Sequence, residues 1–533
     1  MLKIAFAQIN PTVGAFDENY KKIFNFIQRA KATSVDILIF PELSISGCPP
    51  KDLLLKEDFV KKNLEILQKI KNSTDNIAVA LGSIYKKDDK IYNSAFLFYD
   101  KKILNIYNKI NLLDNTFFDE KNYFSRGDSL KCYQFKKFKF FLTLGEDIFC
   151  EKIANYIKKE KVDFVINLAA TPFYVEKNKF FYSSLFKVAK SIDSFIFFCN
   201  LVGGQDEVVF DGNSCIVSSE GKIVFLCKSF EEDFEIFEFD KKLKYKQFSL
   251  SDDKVKLVYE ALVCSLRDYS LKNNFKSAIL GVSGGIDSAV VTSIATAALG
   301  RDNVVGLIMP SRFSLESSVS CAKKICENLK INYKIIDIEN IFDMCLKTFQ
   351  PFFLDKKFDV TEENLQSRIR GMILMAFSNK FGHLVLNTGN KSELFCGYCT
   401  LYGDLIGGFS ILKDIYKTFV YKLAEYINKI TNPPVIPKTV FTKAPSAELR
   451  KNQKDTDTLP GYSILDPILK FYLEDNLEPK AIAKKGYDIK LVNKIIKMVS
   501  LSEFKRKQAP PGTKITYSAI FKQNDLPITN RFF

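Results

Sequence analysis

At 533 residues the chain is too long for a single hydrophobic core, so two or three domains are expected. No apolar run is long enough to span a bilayer and there is no signal-peptide start, which points to a soluble cytoplasmic protein with no membrane partner. The net charge of +15 comes from lysines spread along the whole chain, so no nucleic-acid partner is expected, and a single histidine, His383, closes off Ser-His-Asp triads and multi-histidine zinc centres.

The twelve cysteines are scattered and read as reduced thiols. One close pair, Cys396 and Cys399, lacks the second pair that a zinc site needs. From the N-terminus, a strand over residues 3–9 is followed by a helix around 17–31 and a buried strand at 36–40. That strand ends in Pro41-Glu42, a carboxylate placed directly after a buried element, as a catalytic base needs. Further strands are expected at 77–84, 94–99, 103–107 and 138–144, then near 163–168, 195–200, 214–218, 222–227 and 234–238. Strands and helices alternating over some 240 residues give a layered α/β sandwich.

The landmarks of this first half are Phe-Pro-Glu-Leu at 40–43, Asn108-Lys109, Phe118-Asp-Glu-Lys, and the long run Val202-Gly-Gly-Gln-Asp-Glu through Gly212. Together they resemble the nitrilase (carbon–nitrogen hydrolase) superfamily, in the form found in the glutaminase domain of glutamine-dependent NAD+ synthetases. The resemblance implies an α-β-β-α sandwich over residues 1–240. It also implies a catalytic Glu at Glu42, an oxyanion-stabilising Lys at Lys109, and a Cys nucleophile directly before Glu146-Asp147. The residue at that last position is Gly145. Glycine has no side chain to attack an amide, and Cys150, five residues on, lies roughly 7 Å away along a helix. The family's glutamine-contacting positions fall on Asn115, Thr171 and Lys177, and Phe181 stands where an arginine is usual. The expectation is a domain that keeps the fold but does not hydrolyse glutamine.

Residues 241–253 are charged and polar and read as a linker, with the second domain over 254–533. A helix at 254–274 leads to the apolar strand 278–280 and then to Gly281-Val282-Ser283-Gly284-Gly285-Ile286-Asp287-Ser288, which opens a helix. Two adjacent glycines and two serines at a helix start make a phosphate cradle, because backbone N–H groups and hydroxyls converge on an anion. The absence of a Lys-Ser/Thr pair after the glycines excludes a Walker loop. Alternation continues with a strand at 303–308, a helix at 315–329, a strand at 332–338, a helix at 362–380 and a strand at 384–388, the rhythm of a doubly wound parallel sheet.

The Ser-Gly-Gly-Ile-Asp-Ser loop resembles that of ATP pyrophosphatases. The runs after it, at 309–314, 362–371, 386–393, 402–404, 414–418, 443–460 and 503–512, resemble the NAD+ synthetase family in order. The resemblance implies ATP at residues 281–288 and Thr388, deamido-NAD+ at Asn364, Glu393 and Lys505, and Mg2+ at Asp287 and Glu393. Lys417 and Lys443 are further candidates for phosphate contact. It also implies a carbon–nitrogen ligase that activates a carboxylate as an AMP anhydride and aminates it, in a homo-oligomeric assembly. With Gly145 in the first domain, free ammonia is the expected nitrogen donor.

Overall fold

The computed structural model describes every residue except 115, 242, 354–355, 523–525 and 531–533. Two compact units emerge, Met1–Lys254 with Ile520–Lys522, and Val255–Ala519 with Gln523–Phe533. Among the described residues no helix is long and apolar enough to cross a membrane.

In the first unit, β1 (Leu2–Gln8), β2 (Ile37–Ile39), β3 (Ala78–Lys87), β4 (Lys90–Tyr99) and β5 (Lys102–Asn108) form one six-stranded sheet with a late strand beside β1. The second six-stranded sheet begins with β6 (Cys132–Phe135), β7 (Phe138–Leu144), β8 (Phe164–Ala169) and β9 (Phe195–Asn200). A separate hairpin, β10 (Val202–Gln205) and β11 (Val208–Asp211), is followed by β12 (Cys215–Val217) and β13 (Ile223–Leu226), which complete the second sheet. The strand that closes the first sheet is β14 (Asp233–Phe239), antiparallel to β1.

Side-chain alternation explains the layering. In β1, Ile4 and Phe6 enter the core shared with β7, β8 and β9, while Ala5 and Ala7 lie under α1 (Phe16–Ala32) and α2 (Glu57–Asn72). Small residues beneath the helices let them approach the sheet, and aromatic rings fill the space between the sheets. Phe164 and Phe197 meet there with centroids 5.1 Å apart. The far side of the second sheet is covered by α3 (Glu151–Glu160) and α4 (Ser183–Ile192), through Ile153, Ile157, Leu185 and Ala189. The result is the α-β-β-α sandwich read from the sequence.

The second unit opens with α5 (Lys254–Lys272) and is built on a five-stranded sheet whose pairings are all parallel. Its strands are β15 (Ala278–Gly281), β16 (Val304–Ile308), β17 (Asn332–Ile335), β18 (Leu384–Asn387) and β19 (Phe409–Ser410). Their order is β17-β16-β15-β18-β19, so chain progression reverses direction at β15, where ligands collect in such sheets. The connecting helices are α6 (Ile286–Leu299), α7 (Glu316–Leu329), α8 (Glu339–Phe353) and α9 (Val360–Phe381). The helix read at 362–380 starts two residues earlier, because Asp359 and Glu362 form a reciprocal cap. The strand read to 338 ends at Ile335, where Ile336 and Ile338 turn their N–H groups to the carbonyls of Ile308 and Pro310.

Phe197 is fully buried between the two sheets. Phe197→Ala should therefore lower the stability of the first unit by about 3–5 kcal/mol, read as a shift of its urea transition. A loss below about 1 kcal/mol would show that this ring does not hold the sheets together.

Candidate functional sites in the two units

In the first unit, the end of β2 turns at Pro41, and Glu42 follows with its side chain wholly inside. Glu42 Oε1 accepts from Lys109 Nζ at 2.8 Å and Asn93 Nδ2 at 2.7 Å, and Oε2 accepts from the Ala170 N–H at 3.0 Å. Lys109, the residue after β5, also donates to Glu120 Oε1 at 2.9 Å. Glu120 in turn takes Asn93 Nδ2 at 2.8 Å and the Leu113 N–H at 2.9 Å. The ammonium is thus buried between two carboxylates. Burial alone would lower its pKa, but Glu120 and Glu42 outweigh that and hold it above the usual lysine range. Burial raises Glu42, against the pull of Lys109. Glu120 was read from the sequence only as part of a motif. Its contact with Lys109 carried no local signal beyond an acid eleven residues downstream.

Gly145 begins a tight 3-10 turn over Gly145–Phe149 after β7, with φ +47°. A Cβ built on it would lie 3.0 Å from both Glu42 Oε2 and Lys109 Nζ, so the chain brings Glu42, Lys109 and Gly145 together. The tight turn rises about 2 Å per residue, which sets Cys150 farther off than the α-helical spacing expected from the sequence. Cys48 is buried, with its thiol pushed up by burial and then by Glu42 and Glu120.

The positions expected to contact glutamine fare differently. Lys177 is buried, donating to Asp211 Oδ1 at 2.6 Å and to the Thr171 carbonyl at 3.0 Å. Burial lowers its pKa against the attraction of Asp211. Phe181 packs into the core, edge-on to Phe149. Asn115 lies outside the described residues. The Val202–Gly212 run, read as a motif without an element, forms the β10–β11 hairpin with its turn at Asp206.

In the second unit a cavity of about 700 Å3 opens at the C-terminal end of β15. Residues 281–288 line it, with Thr388, Asn364, Glu393 and Lys505, so the sequence candidates of this unit converge on one space. Ser283 Oγ lies 3.1 Å from Ser288 Oγ and accepts from the Gly285 N–H at 3.2 Å, which folds the loop over the start of α6. Gly284 has φ +79°, and a Cβ there would sit 2.1 Å from the Ser318 carbonyl oxygen. Only glycine fits that close approach.

Asp287 is in the first turn of α6 and Glu393 is in the first turn of α10 (Lys391–Cys396). Lys417, the first residue of α11 (Lys417–Ile430), donates to Asp287 Oδ2 and, at 3.0 Å, to Glu393 Oε1. Burial pushes Glu393 up to about 7, with Lys417 pulling it back. Lys505 donates to the carbonyls of Gly397 and Cys399, each at 2.7 Å, and Asn364 Oδ1 accepts from Thr400 Oγ1 at 2.7 Å. Lys443 bonds Ser318 and Glu448. Arg370, which the sequence reading placed only inside a motif, also lines the cavity. Its guanidinium donates to the Met309 carbonyl at 2.9 Å and to Ser311 Oγ, and burial lowers its pKa to about 10.

Cys396 and Cys399 are free thiols, each raised to about 12 chiefly by burial. His383 Nδ1 lies 2.6 Å from Ser277 Oγ and is not among the cavity-lining residues.

With this geometry established, comparison with known proteins is specific. Residues 3–244 match the carbon-nitrogen hydrolase family and residues 258–509 match NAD synthase. The glutamine-dependent NAD(+) synthetase of Acinetobacter baylyi is 40% identical over 99% of this chain and 98% of its own length. The chain belongs to the glutamine-dependent NAD+ synthetase family. The Thermotoga maritima enzyme of that name is likewise 40% identical, over all of this chain and 99% of its own. The Acinetobacter baumannii synthetase, solved with ADP, is 38% identical with a TM-score of 0.81, covering 99% of this chain and 98% of that one. Membership makes this chain a carbon–nitrogen ligase of NAD+ synthesis, with ATP as a substrate.

The close approach at Gly284 yields a direct test. Gly284→Ala should weaken ATP binding about fivefold or more in calorimetry, since the positive φ alone costs about 1–2 kcal/mol. An unchanged affinity would mean that the loop does not depend on its contact with Ser318.

Proposed function

We propose that this family member aminates deamido-NAD+ with free ammonia and has lost the glutaminase half-reaction. The observation that carries this reading is Gly145: the space facing both Glu42 Oε2 and Lys109 Nζ holds no side chain. A thioester mechanism needs a thiolate there. Cys48, the buried thiol beside Glu42 and Glu120, is held in its unreactive protonated form by burial. The commitment of Lys177 to Asp211, and the packing of Phe181 into the core, further support decay of the glutamine pocket.

In the second unit the loop 281–288 and Thr388 receive ATP, with backbone N–H groups at the start of α6 directed to its phosphates. Asn364, Glu393 and Lys505 receive deamido-NAD+. The bonds of Asn364 to Thr400 and of Lys505 to two carbonyls fix those side chains before substrate arrives. The nicotinate carboxylate attacks the α-phosphorus and pyrophosphate leaves. Ammonia then adds to the carbonyl, AMP leaves, and a proton is released to solvent.

The fit of Mg2+ rests on the donor set. Asp287 and Glu393 already converge on one cation, the Lys417 ammonium. Two carboxylates are the donor set of an ion that completes its shell with phosphate and water. Charge supports it as well. Six acids line the cavity (Asp287, Glu363, Glu393, Asp404, Glu448, Asp455) against five bases (Arg370, Lys417, Lys443, Arg450, Lys505), leaving no positive surplus for a triphosphate. Bound there, Mg2+ supplies that charge and eases departure of pyrophosphate.

Homo-oligomerisation is part of this reading. It is supported by exposed apolar side chains on α8 and α9, among them Met344, Phe352, Met372 and Phe381.

Steady-state NAD+ formation with ammonium chloride, against the same assay with glutamine, tests the nitrogen donor. Ammonium should support turnover and glutamine should give less than about a thousandth of that rate, since loss of the nucleophile from an acting triad costs up to about a millionfold. Comparable rates would end the proposal. Gly145→Cys provides the converse. Its Cβ has room only if Glu42 and Lys109 shift by a few tenths of an ångström, and φ +47° adds about 1–2 kcal/mol. Glutamine turnover should rise above background yet stay at least about tenfold below the ammonium rate. Full recovery would show that the surrounding pocket is intact.

A further inference from the structure

All four carboxylate oxygens of Asp287 and Glu393 are already engaged by donors of this chain. Lys417 Nζ takes Asp287 Oδ2 and Glu393 Oε1, Asn390 Nδ2 donates to Asp287 Oδ1 at 3.0 Å, and the Asn390 N–H reaches Glu393 Oε2 at 3.5 Å. We propose that Lys417 is a resident counter-cation that keeps a divalent metal out of the Asp287–Glu393 site until a nucleotide gives its ammonium another partner. The proposal rests on the metal reading above and adds the order in which the site is filled.

The physical reasons lie in the same contacts. Asn390 is fixed as the cap of α10, with its Oδ1 accepting the Glu393 N–H at 3.1 Å, so its two donors stay where they are. The Tyr462 hydroxyl also reaches Glu393 Oε1, at 3.5 Å, but the only cation among these donors, and so the one a metal competes with, is the lysine. Its backbone is held, since the Lys417 N–H donates to Ser392 Oγ at 2.9 Å, while its side chain is long and lines the cavity. Asp287 and Glu393 would offer a divalent ion the same oxygens that bind the ammonium, and the two cations would repel each other. Without nucleotide the displaced ammonium, 4% exposed in its present place, loses two charged partners at once. With nucleotide, phosphate oxygens in the cavity take their place. Metal and nucleotide binding are then thermodynamically coupled, each strengthening the other, and Lys417 is the positioning residue that couples them.

The test is a Mn2+ titration of the full-length protein, with free Mn2+ followed by electron paramagnetic resonance, with and without saturating ATP and corrected for the Mn–ATP complex in solution. Wild type should bind Mn2+ weakly alone and at least tenfold more tightly with ATP. Lys417→Met should bind nucleotide-free Mn2+ at least tenfold more tightly than wild type and gain little further from ATP. Lys417→Arg, which keeps the cation, should behave as wild type. Equal nucleotide-free affinities in wild type and Lys417→Met would overturn the proposal while leaving the metal reading in place. So would a wild-type affinity indifferent to ATP, a result that holds even if the Met variant does not fold. Should wild type hold no Mn2+ with ATP present, and Glu393→Gln change nothing, the metal reading itself would fall.

Discussion

A lysine ammonium buried between two carboxylates is the interaction around which both candidate sites are built. Lys109 sits between Glu42 and Glu120 in the first unit, and Lys417 sits between Asp287 and Glu393 in the second. In each case one positive charge faces two negative ones in a dry environment, an arrangement that survives only when hydrogen bonds satisfy the remaining oxygens. Asn93 and the Ala170 and Leu113 N–H groups do this in the first unit, and Asn390 does it in the second. The carboxylates come from different elements, so each lysine also ties strands or helices together.

The two triads have different surroundings. Lys109 is 2% exposed, and the residue facing it, Gly145, has no side chain. Its ion pairs join the end of β5 to the residues that follow β2 and to Glu120. Lys417 lines a cavity of about 700 Å3 at the reversal point of a parallel sheet, where a ligand has access to the same carboxylates. The same ion arrangement thus stands beside a residue with no side chain in one place and in an open cavity in the other.

Much of this architecture was legible in the residues. Apolar runs marked β1, β7 and β9, and the glycine-serine corner marked the loop before α6. The acid after Pro41 and the glycine before Glu146-Asp147 stood at identifiable positions relative to their strands. Shorter elements were harder. The β10–β11 hairpin is built from Val202-Gly-Gly-Gln and Val208-Val-Phe-Asp, where two glycines erase the side-chain alternation that announces a strand. The end of β17 reads longer in the sequence because apolar residues continue past Ile335, where Ile336 and Ile338 still bond the carbonyls of Ile308 and Pro310 but lie outside the paired register.

The sequence by itself determined the two fold classes, the glycine-serine loop before α6 and the glycine at position 145, because each is a matter of local residue type and period. Only the tertiary structure decided which charges meet. Asp287 and Lys417 are 130 residues apart, and Lys177 and Asp211 are 34 apart. Neither pairing has a spacing that a helix or strand could announce, since long-range ion pairs arise where separate elements are packed together, and their partners are chosen by that packing.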